Sequence, residues 1–563
     1  MREKVIGIIG AGPRGLSALE SLVKAFVDRK ITSGFRIVMF DDTPHWGAGP
    51  NHAPDILDSN RINLSEREIT IERRKPIKIQ GGQIDGFPAY DVWAGLKQEP
   101  TDIDTYPPRA KLGRYLHDRL ISIARPLQEA GVLSCYSERV TGISFSGVDV
   151  VLQSEETILK CNEAVLCPGH LPVEADEQLA GWIDWEKPQG VQLQKDSYPI
   201  RSYIERVLQN HNQIGIRGFG LTFLDIITAA GNEIGKFRIH QENNRLHVTF
   251  KCETNTPPVF YPFSTDGLPP IPKPLSEEVY NSFRLEKQSF EKFKKTLCEG
   301  MKADPEKFYE IFIYEMALLA SGVFIRLTPD VAKREVEDIL VNFLHEESYD
   351  FTLFADHSQP VAGLIGDYCA MACGDIPASL DYVLGQVWRH CRTLLYELFW
   401  HPPLPDDVLH DVIKLDERMK RYSYGPPVIS LLELMALNRT GVVSFKMIDN
   451  PNIETSAKGW SLDLNGDQVT VSCMIDSVLS PPDISNTSTP LIRDFLNKLY
   501  VRPFFSMGAI TNEEALLPDC PSRVALLGRL AKGRVFGTDS IRECFSREVD
   551  VWAEGVVKRS FSS

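Results

Sequence analysis

The chain has 563 residues, 43% of them hydrophobic and 24% charged, with 76 acidic against 61 basic side chains and a net charge of −15. That length predicts two or three domains of roughly 100–200 residues. The acidic balance argues against a dedicated nucleic-acid binder, which needs a phosphate-neutralising basic face. Eleven cysteines without a C-x-x-C pair exclude zinc-ribbon spacing and read as free thiols of a reducing compartment. No metal site is expected.

Residues 4–9, "KVIGII", are apolar and β-branched and predict a buried parallel strand. Gly10, Gly12 and Gly15 follow as G-x-G-x-x-G, and Pro13 stands where a helix can start without losing a hydrogen bond. "LSALESLVKAFV" has helical periodicity, and "FRIVMFDD", residues 35–42, is a second strand closing on Asp41. A glycine loop between strand and helix offers backbone N–H groups to a pyrophosphate, and an acid ending the next strand can accept from ribose hydroxyls. Arg14 could add charge beside the phosphates. The absence of a leader-like apolar stretch here reads as cytoplasmic.

A tract rich in Pro, Gly, Asn and Asp runs from Thr43 to Pro108 and is long enough to be functional rather than connecting. His45 and His52 lie in it, paired with no second ligand. "RAKLGRYLHDRLISIARPLQEAG" predicts a helix ending at Gly131, and "AVLCPGH", residues 164–170, a strand running into a turn. The pattern then restarts. "QIGIRGFGLTFLDIITAAG", residues 213–231, is again strand, glycine loop and helix, with Gly218 and Gly220 but no third glycine. "RLHVTF", residues 245–250, is taken as its next strand; no acid closes it, and Arg245 and Lys251 are candidates for a 2′-phosphate. Two such units in one chain suggest a resident flavin and a visiting nicotinamide, between which hydride passes. The alternative is a second unit kept without cofactor.

From Ser276 to Tyr424 the sequence becomes helical, with "EEVYNSFRLEKQSFEKFKKTL", "PEKFYEIFIYEMALLASG", "AKREVEDILVNFLHE" and "LDYVLGQVWRHCRTLLYELFW" reading as amphipathic helices. In "IYEMALLASGVFIRL", Glu315 and Arg326 bound too few apolar residues to span a membrane, so no membrane partner is expected. "GVVSF" and "QVTVSCMIDSVLS" read as strands. The end of the chain, 522–559, reads as strand, glycine-rich turn and long helix. No hydrolase elbow or P-loop is present, no histidine pairs as a ligand, and no catalytic side chain can be named.

"IGIIGAGPRGL", "FDDTPHWGAG", "INLS", "YPPRAKLGRYL", "LCPGH", "IRGFGLTFLD" and "YGPP" occur in an order that resembles the bacterial FAD/NAD(P)-binding oxidoreductases. That group includes flavin-dependent amine monooxygenases converting aspartate to nitrosuccinate. The resemblance covers most of 4–265 and, more loosely, 420–555. It implies an α/β fold of two Rossmann-like dinucleotide-binding domains, the second inserted in the first, plus a helical insertion. The expected division is 1–200 FAD domain, 201–275 NAD(P)H domain, 276–424 helical insertion, 425–475 return strands of the NAD(P)H domain, and 476–563 end of the FAD domain.

The resemblance also implies FAD contacts at Gly10, Gly12, Pro13, Arg14, Gly15, Asp41, Gly47, Gly49, Asn63, Arg109, Gly113 and Gly169, and at Gly528, Gly537 and Thr538 of the C-terminal turn. Gly218, Gly220, Thr222 and Asp225 match the NADPH (or NADH) motif. "GRLAKGRVFGTD" departs from the family's C-terminal wording. The implied activity is N-oxygenation of a small amine or amino acid by O₂ through a flavin hydroperoxide. The alternatives are a flavoprotein dehydrogenase or reductase without oxygenase chemistry, and a non-catalytic nucleotide-binding scaffold. An amino-acid substrate needs a carboxylate clamp, for which Arg61, Arg67 and Arg502 are candidates.

Overall fold

The computed structural model describes residues 3–79, 82–185, 187–242, 245–346, 352–538 and 540–561. Lys4–Ile9 is a strand at the centre of a five-stranded parallel sheet, ordered Val524–Leu526, Glu163–Leu166, Lys4–Ile9, Phe35–Phe40, Leu133–Tyr136. Its near-continuous apolar runs suit strands covered on both faces. Helices Pro13–Asp28, Arg109–Glu129 and Arg547–Phe561 supply one cover, and the antiparallel strands Gly142–Ser146, Asp149–Gln153 and Ile158–Cys161 the other.

A second parallel sheet, ordered Gln192–Gln194, Cys473–Asp476, Gln213–Arg217, Val259–Phe263, lies in the chain between strands 163–166 and 524–526 of the first. The second domain is therefore inserted in the first. Its strands include residues 192–194 and 476, so it begins ahead of residue 201 and closes just past 475.

The two domains repeat one plan. Each runs strand, glycine loop, helix, parallel strand, then a later helix, a three-stranded antiparallel meander, and a last parallel strand. The later helices both start behind a proline pair, Pro107–Pro108 before Arg109–Glu129 and Pro426–Pro427 before Val428–Arg439. Proline has no N–H to lose at a helix entrance and holds the residue before the helix extended. The second meander is Asn452–Ser456, Gly459–Leu464 and Asp467–Val471.

Three expected elements differ. "RLHVTF" is in Arg245–Cys252, which pairs antiparallel with Gly235–Glu242 as a hairpin; the parallel strand that follows the second glycine loop is Val259–Phe263. "GVVSF" is a turn: Gly441 has φ +78° and ends the preceding helix, and only Val443 bridges Phe260. The first predicted insertion helix breaks after Ser282 and restarts at Lys287, and Arg326 Nη2 donates to the freed carbonyls of Ser282 and Arg284 at 3.0 and 2.9 Å.

Seven helices between Glu277 and Ser423 form the insertion among the described residues. They share one continuous core with helices Leu221–Ile234 and Val428–Arg439, so the insertion is fused to the second domain. Pro305–Leu327 is long and apolar enough to cross a membrane, but more than half of it is buried against neighbouring helices. All eleven cysteines are free.

Candidate dinucleotide site

The three glycines of the first loop do different work. A Cβ on Gly10, whose φ is +99°, would lie 2.2 Å from the Cys167 carbonyl oxygen, and one on Gly15 would lie 2.0 Å from the Gly10 oxygen. Both clashes are with backbone, so these two glycines serve the turn and the close seating of the helix on it. Gly12 is different: its nearest neighbour would be Gly49 Cα at 3.7 Å, an ordinary contact. Here the backbone is left open to a ligand, the arrangement a pyrophosphate needs at a helix N-terminus. Pro13 opens that helix, and Gly49 and Gly47 bring the loop after the second strand alongside, Gly47 N–H donating to Ala11 O at 2.6 Å.

Asp41 sits where an acid was expected, at the end of the second strand, but both of its oxygens are in use. Oδ2 accepts from Ala11 N–H at 2.6 Å, and Oδ1 from Thr43 N–H and hydroxyl at 2.8 and 2.6 Å. In this state it closes the glycine loop, and a ribose hydroxyl would share those oxygens with the backbone.

Arg14 is buried, with 6% of its surface exposed. Nη1 donates to Glu543 O at 2.5 Å and stands 3.6 Å from Glu548 Oε2, while Nε and Nη2 have no hydrogen-bond partner among the described residues. A Cβ on Gly528 would be 3.7 Å from that Nε. Burial pushes the Glu548 carboxyl up to about 7, against the pull of Arg14. Thr538, also buried, leaves its hydroxyl without a described partner. The orphaned Arg14 donors, close to Gly12 in the loop and beside the positive-φ turn at Gly528, together with the orphaned Thr538 hydroxyl, fit an anionic dinucleotide such as FAD.

Other expected contacts are occupied by the protein. Asn63 Nδ2 donates to Tyr424 O at 2.6 Å and its Oδ1 accepts from Lys273 Nζ at 2.6 Å, tying the loop to the insertion. Gly113 lets its helix lie on the loop at His52, whose oxygen a Cβ would meet at 1.7 Å. Burial and then the neighbouring Arg109 push the His52 imidazole down to about 3. Gly169 faces open space at φ +65°. Gly537 packs under the Tyr396 ring, 2.7 Å from where its Cβ would stand.

In the second loop Gly218 has φ +105°, and a Cβ there would meet Ser477 Oγ at 2.7 Å; Gly220 has nothing within 4 Å. Thr222 and Asp225 lie on the helix Leu221–Ile234. Asp225 accepts from Arg109 Nη2 at 2.9 Å and from the Tyr198 hydroxyl at 2.5 Å, so Arg109 is spent on joining the two domains. Asp225 and Arg109, with Arg61, Asn63 and Ser430, line a cleft between the domains. Arg245 and Lys251 are on the exposed hairpin, Arg245 paired with Asp375 at 2.8 Å, away from the carboxyl ends of the parallel strands.

The three arginines considered as a carboxylate clamp are all engaged. Arg61 is bidentate to Glu433 at 2.7 and 2.8 Å, Arg67 binds Asp104 and Glu277, and the exposed Arg502 lies 3.3 Å from Asp519. The cations that sequence reading missed are Lys273, Arg389, Arg392 and Arg542, gathered around Glu68 from three distant stretches of chain. Nothing local marks them: Lys273 lies in an irregular stretch between two prolines, Arg389 and Arg392 in a helix whose pattern reads as ordinary amphipathic packing, and Arg542 in a single helical turn.

Residues 7–171 match the model of the FAD-NAD(P)-binding family. The chain is 23% identical over 554 residues to nitrosuccinic acid synthase npaA of Aspergillus oryzae, covering 88% of this chain and 82% of that one. Among solved structures, ornithine hydroxylase (PvdA) from Pseudomonas aeruginosa aligns over 100% of both chains at 11% identity and a TM-score of 0.44. A flavin-containing monooxygenase from Stenotrophomonas maltophilia aligns over 99% of this chain and 98% of its own, at 12% identity and a TM-score of 0.41.

Proposed function

We propose that this chain is a FAD-dependent, NAD(P)H-consuming monooxygenase that N-oxygenates a small amine or amino acid. The observation that carries the reading is the pair of matched glycine loops, each with one glycine free of any tight contact, the first with unpartnered Arg14 donors beside it. The likeness along 88% of the chain to a nitrosuccinic acid synthase supports the oxygenase chemistry.

Bound together, the two cofactors supply two electrons from the nicotinamide, O₂ activation at the flavin, transfer of one oxygen atom to the amine nitrogen, and release of the other as water. The protein's part is to bind, orient and exclude water. The N-terminus of helix Pro13–Asp28 and Gly12 would hold the FAD pyrophosphate, with Arg14 neutralising it from below. Gly528 and Thr538 would border the same cofactor from the C-terminal turn. Gly220 and the N-terminus of helix Leu221–Ile234 would hold the nicotinamide dinucleotide, and the Asp225–Arg109 pair fixes that helix against the first domain.

The purified protein should be yellow or take up FAD. NADPH consumption under air should rise with an amine substrate, with an oxygenated nitrogen in the product. A flavin reduced by NADPH but indifferent to O₂ and to amines would select a reductase. A protein that never holds FAD would refute both.

A further inference from the structure

Helix Leu380–Leu398 carries Arg389, Arg392 and Tyr396 at i, i+3 and i+7, which places them along one face. That face meets the C-terminal turn of the first domain. Tyr396 lies over Gly537, and Arg542 follows four residues after Thr538. Arg14, at the first glycine loop, donates to the carbonyl of Glu543, the residue next to Arg542. The cation cluster therefore borders the turn assigned to the flavin.

The acids at this place are few. Glu68 is shared. Arg389 Nη2 is 3.0 Å from its Oε1 and Arg392 Nη2 is 3.9 Å from the same oxygen. Burial would raise its carboxyl, but Arg389, Lys273, Arg392 and Arg542 outweigh it and hold the group down at about 2. Glu543 turns its carboxylate to the backbone and hydroxyl of Ser540. Asp104 and Glu277 are taken by Arg67.

Among the cations, Arg389 also bonds Gln386, and Lys273 bonds Asn63. Arg392 is 7% exposed and makes no hydrogen bond with any described residue; its guanidinium lies 5.5 Å from the Tyr424 ring. Arg542 has neither a side-chain hydrogen bond nor an ion pair with a described residue, and its charge opposes that of Arg392. A buried guanidinium is costly without a hydrogen-bonded anion. Its planar fork matches a carboxylate with two parallel bonds.

We propose that Arg392 and Arg542 are the carboxylate clamp of the substrate site, so that the amine accepted is an amino acid with a free carboxylate. The helical insertion then acts as a specificity element, supplying Arg392 from one side while the flavin domain supplies Arg542 from the other. This rests on the N-oxygenase reading for its substrate and on the cation geometry for its site.

The test is succinate binding to the FAD-loaded full chain, measured by calorimetry beside inorganic phosphate and sodium chloride at matched ionic strength. Succinate should bind saturably and better than phosphate. Arg392→Gln and Arg542→Gln should each weaken it tenfold or more, and Arg392→Lys should keep part of the affinity. Flavin content and the melting temperature without succinate should stay as in the parent. Succinate no better than phosphate, unchanged affinity in Arg542→Gln, or flavin loss in Arg392→Lys would overturn the clamp. Flavin loss would assign the cations to the cofactor.

The two readings fail separately. Succinate binding with no amine-stimulated NADPH consumption refutes the oxygenase and keeps the clamp. Turnover of uncharged amines without succinate binding does the reverse.

Discussion

Gly10 and Gly218 hold the same place in their sheets. Each donates its N–H at 2.8 Å to the last residue of the neighbouring strand, Phe40 or Phe263. Cys167 and Ser477, on the other side, donate to Ile9 and Arg217 at 2.7 and 2.8 Å. Two residues on, Gly12 and Gly220 both have room for a ligand, Gly12 with only Gly49 in ordinary contact at 3.7 Å and Gly220 with nothing within 4 Å. Three further on the units part company. The first has Gly15, over which the helix closes until the Gly10 carbonyl stands 2.0 Å from a would-be Cβ; the second has Phe223, fully buried and 5.3 Å from the Phe219 ring. One turn is closed by backbone touching backbone, the other is propped by an aromatic side chain. The tight one is assigned to the resident flavin, the propped one to the nicotinamide that must leave after each turnover.

Gly15→Ala should break the first loop outright. The clash is with a carbonyl of its own turn and has no flexible end to yield, so flavin retention should be lost and the melting temperature should fall sharply. A yellow, stable Gly15→Ala protein would show that the tight turn is not required. Phe223→Ala should cost about 3–5 kcal/mol in unfolding free energy by removing a buried aromatic prop, while leaving the flavin bound in the folded fraction.

By the hydrogen bonds just described, Ser264 stands where the first unit has Asp41. An acid there accepts from a ribose 2′-hydroxyl and repels a 2′-phosphate, so its absence favours NADPH. Ser264→Asp should shift the KM ratio toward NADH by about tenfold, with FAD content unchanged; an unmoved ratio would place the 2′-position elsewhere.

His52 offers a pH handle on the first unit. Its imidazole is held down to about 3 from an ordinary 6.5, so between those values the unfolded chain takes a proton that the folded one refuses. Stability from this group is complete above pH 6.5 and is lost as pH falls toward 3. The urea midpoint should climb with pH across that window, and His52→Gln should flatten the slope. Gly220→Ala should have the smallest effect: with φ −109° and free space around it, stability should move by less than about 0.5 kcal/mol, while NADPH binding weakens.

Much of this plan could be read from the chain because its key contacts are local. A glycine loop is a property of a few neighbouring residues, and so are Pro13 at a helix start and the helix behind Pro108. The second unit's next strand was missed for a physical reason. The hairpin 235–252 alternates more cleanly than "VFYPF", whose proline disguises a buried parallel strand. The arginines available to a substrate were misjudged because charge pairing is non-local. Arg61 meets Glu433 across 372 residues of sequence, and Arg392 reaches only the shared Glu68, at 3.9 Å, from a helix that otherwise looks like its neighbours. Asp41 was found in its place, but its two-sided use by Ala11 and Thr43 depends on how the loop folds back, which spacing alone does not reveal.

The order of strands in the first sheet has a consequence for synthesis. Strand Glu163–Leu166 pairs with Lys4–Ile9 on one side and on the other with Val524–Leu526, which the ribosome delivers about 360 residues later. At about 5–20 residues per second, strand 163–166 waits roughly 20 to 70 seconds for that last partner. Through that interval the whole inserted domain, 192–476, emerges and can close on itself, while the edge of strand 163–166 stays bare. A bare edge invites pairing with a neighbouring chain. Nascent chains stalled before residue 524 should therefore be the ones that draw chaperones.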